Sequence, residues 1–291
     1  MDSKNLSHSP EIGTTARRRF LQLGAFCLSA SSLARPTWAQ PAVAASPGAF
    51  MALQDKRPLR IGMVIFPQMD QIDFTGPFEV LVRVPDTEIL VLGTEAGPFK
   101  DHKGLVLVPD MTLEQSPALD LLVVPGGPGQ QALMEDERLL GFIRAHAEQG
   151  KPLFSVCTGA LLCGAAGVLR GRHATTHWSV HELLRYFGAS AHEERVVIDG
   201  NIVSAAGVTA GIDGALQVAA LIRGDEVAQA IQLDIQYAPE PPFNAGSPET
   251  APAAVLATVR QRFAALTEER RQTAQAIAAR SRVGKDGSLR L

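Results

Sequence analysis

The chain is expected to fold as an α/β domain, a mostly parallel sheet with helices on both faces. Three observations carry that expectation. Uninterrupted apolar runs recur as LRIGMVIFP (59–67), TEILVLG (87–93), DLLVVPGG (120–127) and KPLFSV (151–156), the mark of strands buried on both faces. Helical stretches separate most of them, and parallel neighbours need such crossovers. The last run ends on Cys157 and leads into the small-residue stretch TGALLCGAAG, a strand–turn–helix pattern.

Taken in order, the N-terminus reads as an export signal. Arg17, Arg18 and Arg19 precede Phe20, Leu21 and an apolar stretch to about Ala34, an n-region followed by an h-region. Small residues allow cleavage after Ala39 (Thr37-Trp38-Ala39) or Ala44 (Ala42-Val43-Ala44). The string ARRRFLQ resembles a twin-arginine signal with Arg17 and Arg18 as the pair. Residues 1–39 are therefore expected to be a signal peptide and the mature protein to be periplasmic. A basic tail, or translation from Met51, is the alternative. Residues 40–58, dense in Pro, Ala, Ser and Gly, read as a linker, residues 59–282 as the domain and 283–291 as a disordered tail.

Within the domain, Asp73, Thr75 and Pro77 before FEVLVRV form a cap-and-helix signal. A third strand is expected between Gly104 and Pro109, a helix from about Glu135 to Gln149, and another from Trp178 to Phe187. ERVVIDGNIVSAAG reads as a hairpin turning at Asp199-Gly200. TAGIDGALQVAALIRG and EVAQAIQLDIQYA are helical, Pro239 to Pro252 is irregular, and the Ala-, Gln- and Arg-rich remainder to Arg282 has helical periodicity.

Composition narrows the function. With 46% hydrophobic and 20% charged residues over 291 positions, the chain can bury one large core. Removing residues 1–39 leaves 22 basic and 28 acidic residues, a formal charge of −6. An acidic body without a basic stripe argues against nucleic acid and for a small neutral partner. Cys157 and Cys163 are not expected to pair, since six residues along one helix rise by about 9 Å, beyond the roughly 7 Å a disulfide tolerates. No metal-ligand spacing or phosphate-cradling loop is present, so neither metal nor cofactor is expected.

SVCTGA has the form of a nucleophile elbow. A thiol at a helix N-terminus faces free N–H groups and a positive dipole end, and is expected to ionise more readily. The plain alternative is a structural cysteine. Asp73 has the plain reading of a helix cap. Gly126 and Gly127 let backbone approach a ligand or simply turn tightly. Thr158 is a polar first-turn residue or one whose hydroxyl bonds the substrate or Asp73, His177 a structural histidine, and Cys163 a core residue.

The strings IGMVIFPQMDQIDFTGPFEVL, DLLVVPGGPG, FSVCTGALLCGAAGVLRGRHATTHW, VTAGID and YAPEPPFNAGSP resemble the ThiJ/PfpI superfamily, in particular its isonitrile hydratase branch, from about residue 59 to about 250. The resemblance implies a flavodoxin-like fold akin to class I glutamine amidotransferases. It implies Cys157 as nucleophile, Asp73 as its acidic partner, Thr158 beside them and Gly127 lining the substrate site, in a homodimer. Thr158 stands where protease-like members carry histidine, which speaks against peptidase activity. The C-terminal 40 residues are too few for the helix-turn-helix units that follow this fold in some regulators. The expected activity is hydration of an isonitrile to an N-substituted formamide. The rivals are a redox-sensing or protective protein without turnover and a glyoxalase-like enzyme.

Overall fold

The computed structural model describes residues 48–282, and the signal-peptide, tail and early-linker expectations lie outside them. In chain order the elements are α1 (Gly48–Met51), β1 (Leu59–Ile65), α2 (Gln71–Leu81), β2 (Thr87–Gly93), β3 (Phe99–Lys100), β4 (Val106–Leu107) and β5 (Met111–Thr112). They continue with β6 (Leu121–Val124), α3 (Gln130–Leu133), α4 (Glu137–Glu148), β7 (Leu153–Val156), α5 (Gly159–Ala165) and β8 (His173–Ala174). A 3-10 helix (Trp178–Phe187), β9 (Ser190–Ala191), β10 (Val196–Asp199), β11 (Ile202–Ala205), α6 (Ala210–Arg223), α7 (Asp225–Asp234) and α8 (Ala253–Arg282) complete the fold.

Seven strands form the central sheet in the order β10-β11-β7-β6-β1-β2-β5. Every neighbour pair is parallel except the β10–β11 hairpin, which turns at Asp199-Gly200 as expected, with Gly200 at φ +61°. β6 and β7 are buried at every position and β1 at all but Arg60, which is why they appear in the sequence as unbroken apolar runs. Among the helices, α2, α6 and α7 pack together as one group, while α3, α4, α5, the 3-10 helix and α8 form another.

Three local expectations are corrected. The strand between Gly104 and Pro109 does not join the sheet: Val106 and Leu107 pair only with β3, and the position beside β2 belongs to β5. The Asp101 carboxylate accepts the Lys103 and Leu105 N–H groups at 2.7 and 2.8 Å, which folds this segment back at Gly104. The cap of α2 is Asp70, whose Oδ1 accepts the Ile72 N–H at 3.1 Å, so Asp73 lies inside the helix. The helix expected over Trp178–Phe187 is present with those bounds, wound as 3-10 turns and ending at left-handed Gly188. Finally, the folded body begins before residue 59, because Phe50 of α1 is fully buried and Leu53 nearly so.

Candidate active site

β7 delivers Cys157 to the C-terminal edge of the sheet, where φ of +55° turns the chain sharply into α5. A left-handed non-glycine residue costs on the order of 1–3 kcal/mol, and two bonds hold it: the Cys157 N–H donates to Ala205 O at 2.9 Å, and the Thr176 hydroxyl donates to Cys157 O at 2.8 Å. This is the elbow that SVCTGA announces.

The loop after β6 meets the elbow at backbone distance. Gly126 N–H donates to Asp73 Oδ2 at 3.0 Å, and Gly127 N–H to Thr158 Oγ1 at 3.0 Å. A Cβ on Gly126 would lie 2.5 Å from both Thr158 N and Thr158 Oγ1, and one on Gly127, at φ +124°, would lie 2.2 Å from Asp70 N. These glycines are therefore demanded by close approach of three chain segments. Both polar atoms of Gly127 are already engaged, its carbonyl by the Arg270 guanidinium at 2.7 Å and the Thr158 hydroxyl at 3.3 Å.

Asp73 is wholly buried. Burial, with the Asp70 charge adding to it, pushes the carboxyl pKa up to about 8, against hydrogen bonds from the Cys157 side chain and the Gly126 N–H. Its Oδ1 makes no conventional hydrogen bond among the described residues. The expected ease of ionisation at Cys157 is not found: burial and then the adjacent Asp73 charge push the thiol up, against the Thr158 backbone N–H. The helix end counts for less than desolvation because α5 is a seven-residue helix and the sulfur is buried. Asp73 and Cys157 form a pair that favours one negative charge at most.

Thr158 does not bond Asp73; its hydroxyl ties the elbow to Gly127. His177 caps the 3-10 helix by accepting the Ser179 N–H at 3.3 Å, and burial with the nearby Arg270 charge lowers it to about 4, leaving it neutral at neutral pH. Cys163 is a core residue whose thiol burial pushes up to about 12, and neither cysteine is bridged. A cavity of about 550 Å³ is walled by Thr175, Thr176, Trp178, Gly207 and, from the Pro-rich segment, Gly246 and Pro248; Asp73, Gly127, Cys157 and Thr158 do not line it, and Thr176, bonded to Cys157 O, links it to the elbow. Among the described residues no group of three or more His, Cys, Asp or Glu is arranged to hold a metal, and no helix is long and apolar enough to cross a membrane.

A DJ-1/PfpI family model matches residues 59–221, the span that carries Asp73, the glycine loop and the elbow. The chain belongs to the DJ-1/PfpI family. It is 46% identical over 222 residues to an isonitrile hydratase of Pseudomonas putida, covering 76% of this chain and 97% of that protein. The crystal structure of a ThiJ/PfpI family protein from Pseudomonas syringae superposes with a TM-score of 0.72 at 37% identity, over 76% of this chain and 94% of the other. A more distant relative, the glutathione-independent glyoxalase DJR-1.2 of Caenorhabditis elegans, is 25% identical over 58% of this chain and 92% of its own length.

Sequence reasoning missed Arg270 and Phe263, both on α8. Phe263 packs its ring edge against His177 and Trp178, at centroid distances of 5.6 and 5.9 Å. The available signal was an arginine on the helix's inward stripe, in register with Phe263, Ala274 and Ile277.

Proposed function

We propose that this protein is a lyase that hydrates an isonitrile to an N-substituted formamide through a covalent adduct on Cys157. The observation that carries the reading is the buried Asp73 carboxyl, held mostly protonated at neutral pH in hydrogen-bond contact with the Cys157 side chain. An acid that keeps its proton at pH 7 and a sulfur nucleophile are what the terminal carbon of an isonitrile requires, because that carbon takes up both a nucleophile and a proton. The 46% identity to an isonitrile hydratase over 97% of that protein supports the same chemistry.

The Cys157 sulfur adds to the terminal carbon, forming a C–S bond, while Asp73 delivers a proton to the same carbon. Cys157 enters as the thiolate, carrying the pair's single negative charge, so this step leaves a thioimidate on sulfur and Asp73 as the carboxylate. Asp73 carboxylate then takes a proton from water as the water oxygen attacks the thioimidate carbon, and the proton passes to nitrogen. Collapse breaks the C–S bond, releases the formamide and returns Cys157 as the thiolate and Asp73 as the acid. Gly126 N–H holds Asp73 in place throughout, and Thr158 N–H supports charge on sulfur.

Conversion of an alkyl isocyanide to its formamide tests this reading directly. Turnover by the wild type and background rates for a folded Cys157→Ala variant are expected; a fully active Cys157→Ala variant would eliminate covalent catalysis. Turnover of methylglyoxal in place of the isocyanide would instead support the glyoxalase-like reading.

A further inference from the structure

The covering helix brings a buried cation to the elbow. Arg270 lies only 4% exposed, 113 positions along the chain from Cys157, on a helix beyond the span of the family model. One guanidinium nitrogen donates to Gly127 O at 2.7 Å, while Nε is buried without a hydrogen-bond partner and, among the described residues, no carboxylate forms an ion pair with the side chain. Its neighbours Arg271 and Arg280 do pair outward, with Glu182 at 2.5 Å and Glu135 at 2.6 Å. The inner face of α8 is fixed independently by the Phe263 rings contacts, by Gln131 donating to Thr273 Oγ1 at 2.8 Å and by buried Ala274.

A buried cation without a paired carboxylate is expensive unless negative charge arises nearby. We infer that Arg270 is a positioning residue for the Cys157 elbow, clamping the Gly127 carbonyl and supplying the counter-charge for the negative charge that Cys157 carries as nucleophile. The inference rests on the function proposed above for the role of that charge. The groups acting on Cys157 are Asp73 of α2 and its cap Asp70, the Thr158 N–H at the start of α5, and Arg270 from α8. Arg270 is drawn down to about 10 by burial, with Cys157 acting to raise it, and so stays cationic at neutral pH. His177, which also feels Arg270, is neutral there.

The test is the pH dependence of Cys157 alkylation by iodoacetamide, read on the Cys157 peptide by mass spectrometry, which needs no isonitrile turnover. In Arg270→Gln the alkylation midpoint should rise by about one unit or more and the rate at pH 7 fall about tenfold, since thiolate falls tenfold per unit below its midpoint. In Arg270→Lys, which keeps the charge, the midpoint should stay within a few tenths of a unit of the wild type. A folded Arg270→Gln protein with an unmoved midpoint overturns the inference. Should that variant fail to fold, a folded Arg270→Lys protein whose midpoint rises by a full unit overturns it equally, because the charge alone would then not govern the thiol. If the midpoint moves as expected while the wild type leaves isonitriles untouched, the counter-charge stands and the proposed reaction falls.

Discussion

Replacing Asp73 with asparagine keeps the side-chain shape and an acceptor for the Gly126 N–H, yet abolishes a proton that the fold retains through neutral pH. The folded carboxyl has its pKa raised from 3.8 to about 8, chiefly by burial. Between those values the folded chain holds a proton that the unfolded chain has released. This contribution to stability is therefore full below about pH 4 and is lost as pH rises through 8. At about 1.4 kcal/mol per unit, raising the pH from 5 to 8 costs the wild type about 4 kcal/mol through this group, and the asparagine variant nothing. Urea unfolding of both proteins at pH 5, 6.5 and 8 measures the effect, and because all other groups titrate in both, the difference isolates Asp73. The variant should gain about 4 kcal/mol on the wild type between pH 5 and pH 8. Parallel pH profiles would refute the argument, since Asp73 would then be ionised in the fold and unable to act as the acid. The same variant should lose activity by about 10²- to 10⁴-fold, the usual effect of a missing general acid or base.

Gly126→Ala should lower stability by about 1–3 kcal/mol and depress turnover, because its Cβ would stand 2.5 Å from the Thr158 nitrogen and hydroxyl; unchanged unfolding in urea would show that the elbow relaxes freely. We propose a homodimer whose contact includes the exposed Val106 and Val108, on a segment bonded to the start of α2 through Gln68 and Met69. Sedimentation of the wild type should give a dimer at micromolar concentration and a Val106→Asp, Val108→Asp double variant a monomer, and a monomeric wild type would refute the contact. We also propose twin-arginine export to the periplasm. Arg17→Lys with Arg18→Lys should keep the protein in the cytoplasm, and unaltered export would assign the signal to another pathway.

Much of the scaffold could be read from the chain because its physics is local. β1, β6 and β7 are continuous apolar runs since both of their faces are covered, and the elbow is legible because a thiol between such a strand and a small-residue helix has few other arrangements. Asp199-Gly200 specified its hairpin through turn chemistry alone. The edge beside β2 was not legible, because exposed Val106 and Val108 carry the same apolar character as a strand and only the Asp101 turn decides where they go. Nor could a helix cap be told from a buried acid at Asp73, since Asp70 three residues earlier competes for the cap and only the packed helix shows which won. The charge states of the site belong wholly to tertiary structure. Local sequence argued for an easily ionised thiol through the helix dipole, whereas burial and a neighbouring carboxyl act in the opposite direction and are stronger. Arg270 is the extreme case: nothing near Cys157 in sequence foretells a cation that arrives on a helix 113 residues later. Strand and turn preferences are properties of neighbouring residues, but desolvation and Coulomb interactions depend on which distant groups the fold encloses together.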